Sequence, residues 1–318
     1  MSTRAWIGGA TAASVVGASF PVSEALVDYP FATGQMIRYA AGALILTALL
    51  KGRLGRPTPK ELGLLALVAA VGMAGFNLAV LGAVKEIGAT NTGVLIGASP
   101  VILALTSRTR DRRLITAAAI VVAGAAIVNG ADARISAVGT LIAVASLGCE
   151  VGFTLLAAPL LPRLGPTRVA AWSAILATIQ LAILTRGDVP TPTHQEAAAI
   201  AYLAIITTAL AFVLWFSAVQ QLGAARAGLL VGLMPIAAVA IDAALNGRTP
   251  STADLAGTAL VAAGVAFGAM PVRARARRWS LRGGTPAASA ASTAGTSSTC
   301  PAASSSPAAA LPGRSSRR

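Results

Sequence analysis

Glu150 is the one carboxylate set deep inside an apolar run, in the stretch Leu-Gly-Cys-Glu-Val-Gly-Phe. An ionisable side chain at the centre of a membrane helix costs roughly 2.5–3.5 kcal/mol or more, so it marks a functional candidate wherever it occurs. Glu150 could bind a proton, pair with a cationic solute, or serve structurally by joining helices. Arg38 is its counterpart in the second apolar run. It could attract an anionic group, pair with Glu150, or snorkel toward the nearer interface. Asn77 and Gln180 are uncharged and expected in the outer half of the membrane, where they could hydrogen-bond a solute or link helices. Trp172 and Trp215 could line a cavity or stack on a cation. Interface anchoring and packing against lipid suit them equally well.

No other constellation of reactive groups offers chemistry. There is no Walker A loop, HExxH, paired CxxC or GxSxG, and the two cysteines, Cys149 and Cys300, lie far apart. The lone His194 sits among polar residues near Glu196, as a solvated histidine would. No catalytic residue, metal site or cofactor is expected. The net charge of +14 would suit nucleic-acid binding. The Lys and Arg residues are instead confined to short loops between apolar runs, which argues against a nucleic-acid partner.

The elements that must carry these residues follow from composition. The chain is 55% hydrophobic and only 11% charged, with a mean hydropathy of +0.74. A soluble domain carries about 25% charged residues. A bilayer core about 30 Å thick needs roughly 20 apolar residues per helix. Ten such runs are read at 5–23, 31–50, 62–83, 90–107, 114–130, 137–159, 168–185, 197–219, 225–245 and 253–271. Each must be helical, because lipid offers no partner to a backbone N–H or C=O. The expected fold is an all-α integral membrane protein with ten transmembrane helices. Residues 272–318 are rich in Ser, Ala, Pro and Arg, a composition expected to stay disordered as a basic tail that touches anionic headgroups.

Counting Lys and Arg sets the orientation. With the N-terminus cytoplasmic, seventeen fall inside and four outside, leaving aside Arg38 and the far tail. Both termini are therefore expected in the cytoplasm. Lipid is an expected partner, and the Ala- and Arg-rich style is compatible with a bacterial plasma membrane.

The chain also repeats itself. Residues 83–100 read AVKEIGATNTGVLIGASP, and residues 218–235, at an offset of 135, read AVQQLGAARAGLLVGLMP. Eight of eighteen positions are identical, among them Gly93/Gly228, Gly97/Gly232 and Pro100/Pro235. With a gap of five, Gly124 meets Gly264. Two five-helix halves follow, 1–134 and 135–271. Because five is odd, the second half should enter the membrane inverted. Inverted repeats are a feature of secondary transporters, whose solute site lies near the midplane between the halves. Gly93/Gly97 and Gly228/Gly232 form small-xxx-small faces that let backbones approach. Pro100 and Pro235 favour kinks a few residues on. These six residues are candidates for a packed hinge, for ordinary helix packing, or for a homodimer face.

Gly223 to Pro235, its counterpart Gly88 to Pro100, and the second run YPFATGQMIRYAAGALIL resemble the EamA-like family of the drug/metabolite transporter superfamily. The resemblance covers about residues 5–271. It implies ten helices in two repeats and export of small metabolites, amino acids or drug-like compounds, with no fixed substrate. The residues themselves leave two other readings open. A passive channel or facilitator would show a continuous polar face on several helices. A membrane enzyme on lipid-linked substrates would show a surface cluster of His, Asp or Glu. Whether transport is coupled to protons rests on Glu150.

Overall fold

In the computed structural model of the chain, residues 3–26, 28–106, 111–129, 136–185, 189–246 and 249–270 are described. The expected tail, 272–318, lies outside them. Among the described residues there are helices and no strands. The α-helices are α1 (Thr3–Ser23), α2 (Phe31–Leu49), α3 (Pro59–Ala69), α4 (Phe76–Ile96), α5 (Ser99–Leu105), α6 (Arg112–Asn129) and α7 (Ala137–Ala157). They continue with α8 (Leu161–Leu164), α9 (Pro166–Thr185), α10 (His194–Tyr202), α11 (Ala211–Leu222), α12 (Ala224–Leu229), α13 (Leu233–Asn246) and α14 (Thr252–Ala269). Five helical stretches among the described residues are long and apolar enough to cross a bilayer: Pro59–Ile87, Ala137–Leu164, Pro166–Thr185, His194–Leu222 and Thr252–Ala269. Their outward faces suit lipid. Leu141 is 70% exposed and Ile183 73%, as all-round apolar helices require when no water surrounds them.

Sequence chemistry explains where the helices begin. Thr58 caps α3 and Thr193 caps α10. In each case the threonine hydroxyl accepts from the backbone N–H of a Glu three residues on, and that Glu accepts from the cap N–H. Thr58/Glu61 and Thr193/Glu196 are separated by the same offset of 135 that relates the two halves in sequence. α3 joins α4 through a π-helical segment, Ala70–Gly75. α10 joins α11 through another, Leu203–Leu210. These too coincide at that offset. The repeat is thus written into the backbone as well as the side chains.

The packing pattern maps onto itself when the halves are exchanged. α7 packs against α4 and α5, while α1 packs against α11 and α13. α2 packs on its counterpart α9, and α6 on its counterpart α14. Following α7 along its length, Ile87 lies beside Gly139, Ile142 beside Gly82, Cys149 beside Gly75, and Phe153 beside Gly72. α7 therefore runs antiparallel to the stretch 72–87. Leu95 then joins the cluster of Ile87 and Ala143, while Leu103 joins Leu147 and Val151. α4 is helical over the whole of Phe76–Ile96, across the expected break between the runs 62–83 and 90–107.

The predicted proline kinks take a different form. α4 ends at Ile96 and α5 begins at Ser99, so Pro100 sits in the first turn of a new helix. Its missing N–H would be unpaired there in any case. In the second half α12 passes through a 3-10 turn, Leu230–Gly232, before α13. Both helices are interrupted just ahead of the proline rather than bent by it. Gly93 and Pro235 lie in helical backbone whose side-chain surroundings fall outside the described residues. Gly228 faces Leu103, and Gly232 faces Val121 and Val261. That small-residue face is filled within the chain.

Gly124 and Gly264 hold α6 against α14. A Cβ on Gly124 would lie 2.7 Å from the Gly257 carbonyl oxygen, and one on Gly264 would lie 3.0 Å from that of Ala117. Backbone cannot yield as a flexible side chain can. Overpacking of this kind costs roughly 1–3 kcal/mol. Gly124→Val and Gly264→Val are expected to lower the thermal unfolding midpoint in detergent, with Gly63→Val, where nothing lies within 4 Å, as the unaffected control.

Candidate functional site

Glu150 lies at the middle of the continuous helical stretch Ala137–Leu164. It is half-buried and, among the described residues, makes no hydrogen bond or ion pair. Its neighbours one turn away on the same face, Ser146 and Thr154, are fully buried. Ser146 spends its hydroxyl on the Ile142 carbonyl, 3.0 Å away. Thr154 accepts from the indole N–H of Trp215 at 3.3 Å. Ser146, Glu150 and Thr154 thus form a polar stripe at helical spacing on an inward face, and only its central carboxylate is left without a partner.

A second polar group surrounds α2. Arg38 donates from Nε to the Thr208 hydroxyl at 2.9 Å and from Nη1 to the Gln35 side-chain oxygen at 3.1 Å. Its guanidinium carbon lies 5.1 Å from the centre of the Tyr39 ring. Tyr39 is fully buried, and its hydroxyl accepts from Asn77 Nδ2 at 2.9 Å. The same Asn77 nitrogen donates to the Met73 carbonyl at 2.6 Å. Thr208 belongs to the second π-helical segment, and Asn77 lies two residues past the end of the first. α2 is therefore tied, through adjacent residues, to the irregular stretch of each half. A π-helical turn frees backbone groups from the regular ladder and is frequent at functional sites.

Arg38 and Glu150 do not pair. Arg163 and Glu61 do pair, and tie the end of α8 to the start of α3. Arg38 is served by neutral oxygens alone, so snorkelling gives way to an inward hydrogen-bonded position. Gln180 lies in the last third of α9 (Pro166–Thr185) and donates to the Ala66 carbonyl of α3 at 3.0 Å. Near the start of α9, Trp172 donates to the Leu54 carbonyl at 3.3 Å and Arg168 to that of Arg53 at 3.1 Å. Trp172 is thus held at the loop. The side-chain oxygen of Gln180 is buried without a hydrogen bond.

Trp215 is buried, 7% exposed. Beside it three rings meet: Phe153 lies 5.3 Å from Phe212 and 5.1 Å from Phe216, centre to centre. Along α7 this aromatic layer follows Glu150 directly, and it binds α7 to α11. Tyr39, Gln35, Thr208 and the phenylalanine cluster escaped the sequence reading. Thr207-Thr208 in the middle of an apolar run was the available signal. Among the described residues no group of His, Cys, Asp or Glu could hold a metal ion.

Known proteins are similar to this chain in the same frame. The pattern of the EamA-like transporter family matches it twice, over residues 4–131 and 136–269. A Bacillus subtilis (strain 168) protein described as an uncharacterized transporter, YetK, is 24% identical over 259 residues, covering 75% of this chain and 78% of that one. A Streptantibioticus cattleyicolor protein described as a probable terminal-alkyne amino-acid exporter is 26% identical over 260 residues, covering 78% and 87%. One crystal structure superposes with a TM-score of 0.71 at 19% identity, over 85% of this chain and 98% of that chain, and shares the fold. The two matches fall on the two halves read from the sequence and together span nearly all of the apolar part; the chain belongs to the EamA-like transporter family, multi-pass membrane proteins of solute transport.

Proposed function

We propose that this transporter exports a small organic solute, an amino acid or drug-like metabolite, across a bacterial plasma membrane by alternating access coupled to protons. On this reading the ten helices form two inverted repeats, 1–134 and 135–271, with both termini and the 272–318 tail in the cytoplasm. The observation that carries it is Glu150, a carboxylate at mid-helix with no protein partner among the described residues. A group so placed needs an occupant, because burying an unpaired charge is costly. A proton or the cationic group of a solute fills that need, and the two compete for one site. Competition of this kind makes proton entry and solute exit alternate. Arg38 supplies the complementary charge for an anionic group, so the pair suits a zwitterion. The relative described as an amino-acid exporter supports that class and direction. The two π-helical segments and the two interrupted helices supply matched points of flexure in each half.

The test is transport by the purified chain in liposomes, against a panel of amino acids and cationic drugs, with and without a pH gradient. Accumulation that follows the gradient for at least one zwitterionic or cationic solute is the expected result. Equilibration of the same solute regardless of the gradient would remove the coupling.

A further inference from the structure

A cleft of about 250 Å³ opens between α5, α6, α7 and the α11–α12 turn. Its walls are apolar, formed by Leu103, Leu114, Leu155 and Leu222, with Thr106 and Arg226 as the polar side chains. Among the described residues no acidic one lines it. Gly223, at a φ of 80°, makes the turn that brings Arg226 round to this wall. Arg226 is half-buried and, among the described residues, has no hydrogen bond or ion pair. It differs in this from Arg163, paired with Glu61, from Arg113, which donates to the Phe267 carbonyl at 2.6 Å, and from Arg168, which donates to that of Arg53. Arg112 and Arg113 open α6 just before Leu114 of the cleft wall, next to Asp111. A low-dielectric cleft with basic side chains and no described acidic one in its wall concentrates anions.

The position of the cleft along the chain is informative. On α7, Leu155 comes just after Phe153 and Thr154, which follow Glu150; on α11, Leu222 comes after Phe212, Trp215 and Phe216. Leu155 packs with Leu103, Leu147 and Val151, on the opposite face of α7 from Phe153 and its aromatic neighbours. The cleft lies toward the ends of α7 and α11 that lead on to Arg163 of α8 and Arg226 of α12, the ends expected in the cytoplasm from charge.

We propose that the Arg226 cleft is a cytoplasmic loading site for the carboxylate of a small organic solute. A guanidinium holds a carboxylate through two parallel hydrogen bonds, which an ammonium cannot reproduce. The volume is just under the ~300 Å³ at which drug-sized sites begin, which fits a small acid. The apolar walls take the body of the solute and lower the local dielectric, which strengthens the ion pair. An oxyanion could also come from a lipid headgroup, so the test must separate the two sources. The proposal rests on the transporter reading for its place on the route, but its chemistry is measured without transport.

The experiment is isothermal titration of the full chain in detergent with benzoate, using uncharged benzamide as the control. Native chain should bind benzoate and not benzamide. Arg226→Gln should weaken benzoate binding by about tenfold or more, and Arg226→Lys by less. Because binding is read without transport, failure of this titration is distinguishable from failure of the liposome assay. Size-exclusion elution of each variant at the native position shows that folding is intact. No binding by the native chain, or equal binding by native and Arg226→Gln, would overturn the assignment. Repeating the titration in lipid discs with and without phosphatidylglycerol identifies the source. Undiminished benzoate binding in the anionic discs supports solute loading, and its loss there gives the site to the headgroup and overturns that role.

Discussion

Glu150→Gln is expected to abolish gradient-driven accumulation of solute, with initial rates under the pH gradient falling by roughly tenfold or more. The substitution keeps the size and hydrogen-bonding capacity of the side chain and removes its ability to exchange a proton. Because the carboxylate has no protein partner among the described residues, no structural ion pair is lost. Unfolding midpoints should stay near native or rise, since the cost of holding an unpaired charge at membrane depth, roughly 2.5–3.5 kcal/mol, disappears with it. A structural carboxylate would behave in the opposite way, losing stability and keeping transport. Solute-rate profiles against pH add a second readout: the pH dependence seen in the native chain should flatten in Glu150→Gln.

Arg38→Gln should have the next largest effect. Arg38 is held by Thr208 and Gln35 and stacks near Tyr39, all of them uncharged. Its positive charge is therefore available to a solute carboxylate. For a zwitterionic solute the KM should rise by about tenfold or more, as one buried charge-assisted hydrogen bond is worth roughly 1.5–3 kcal/mol. For a solute without an anionic group the change should be small. Arg38→Lys should recover part of the loss, because it keeps the charge and loses the planar fork. Uniform loss for every solute, alongside a lower unfolding midpoint, would make Arg38 a clamp between α2 and the second π-helical segment and nothing more.

Much of this was legible from residue types alone. The run of apolar stretches, the offset of 135 and the placement of Lys and Arg all act through local rules: hydropathy, turn length and charge at the interface. Those rules need no knowledge of what touches what. Glu150 and Arg38 stood out for the same reason, as charges where charges are expensive. What stayed hidden depends on helix rotation and relative height. Gln180 donates to the Ala66 carbonyl of α3, 114 residues away, a partner that its own run does not indicate. The partners of Arg38 include Thr208, 170 residues away, and only the packing of α2 against the second π-helical segment brings them together. The π-helical turns themselves have no residue signature in Ala-Val-Gly-Met-Ala-Gly or Leu-Ala-Ile-Ile-Thr-Thr-Ala-Leu. Pro100 was read as a bend inside a helix, and is instead the start of one.

Alternating access is the central claim, and counterflow tests it most directly. Liposomes holding the purified chain are loaded with an excess of an unlabelled solute identified in the transport panel, then diluted into a trace of the same solute in labelled form. A carrier that exposes one site to one side at a time exchanges inside for outside, so the label should rise transiently above its equilibrium level and then decay. A smooth approach to equilibrium with no overshoot, at the same rate in loaded and empty liposomes, would mean a continuous pore and would contradict the account.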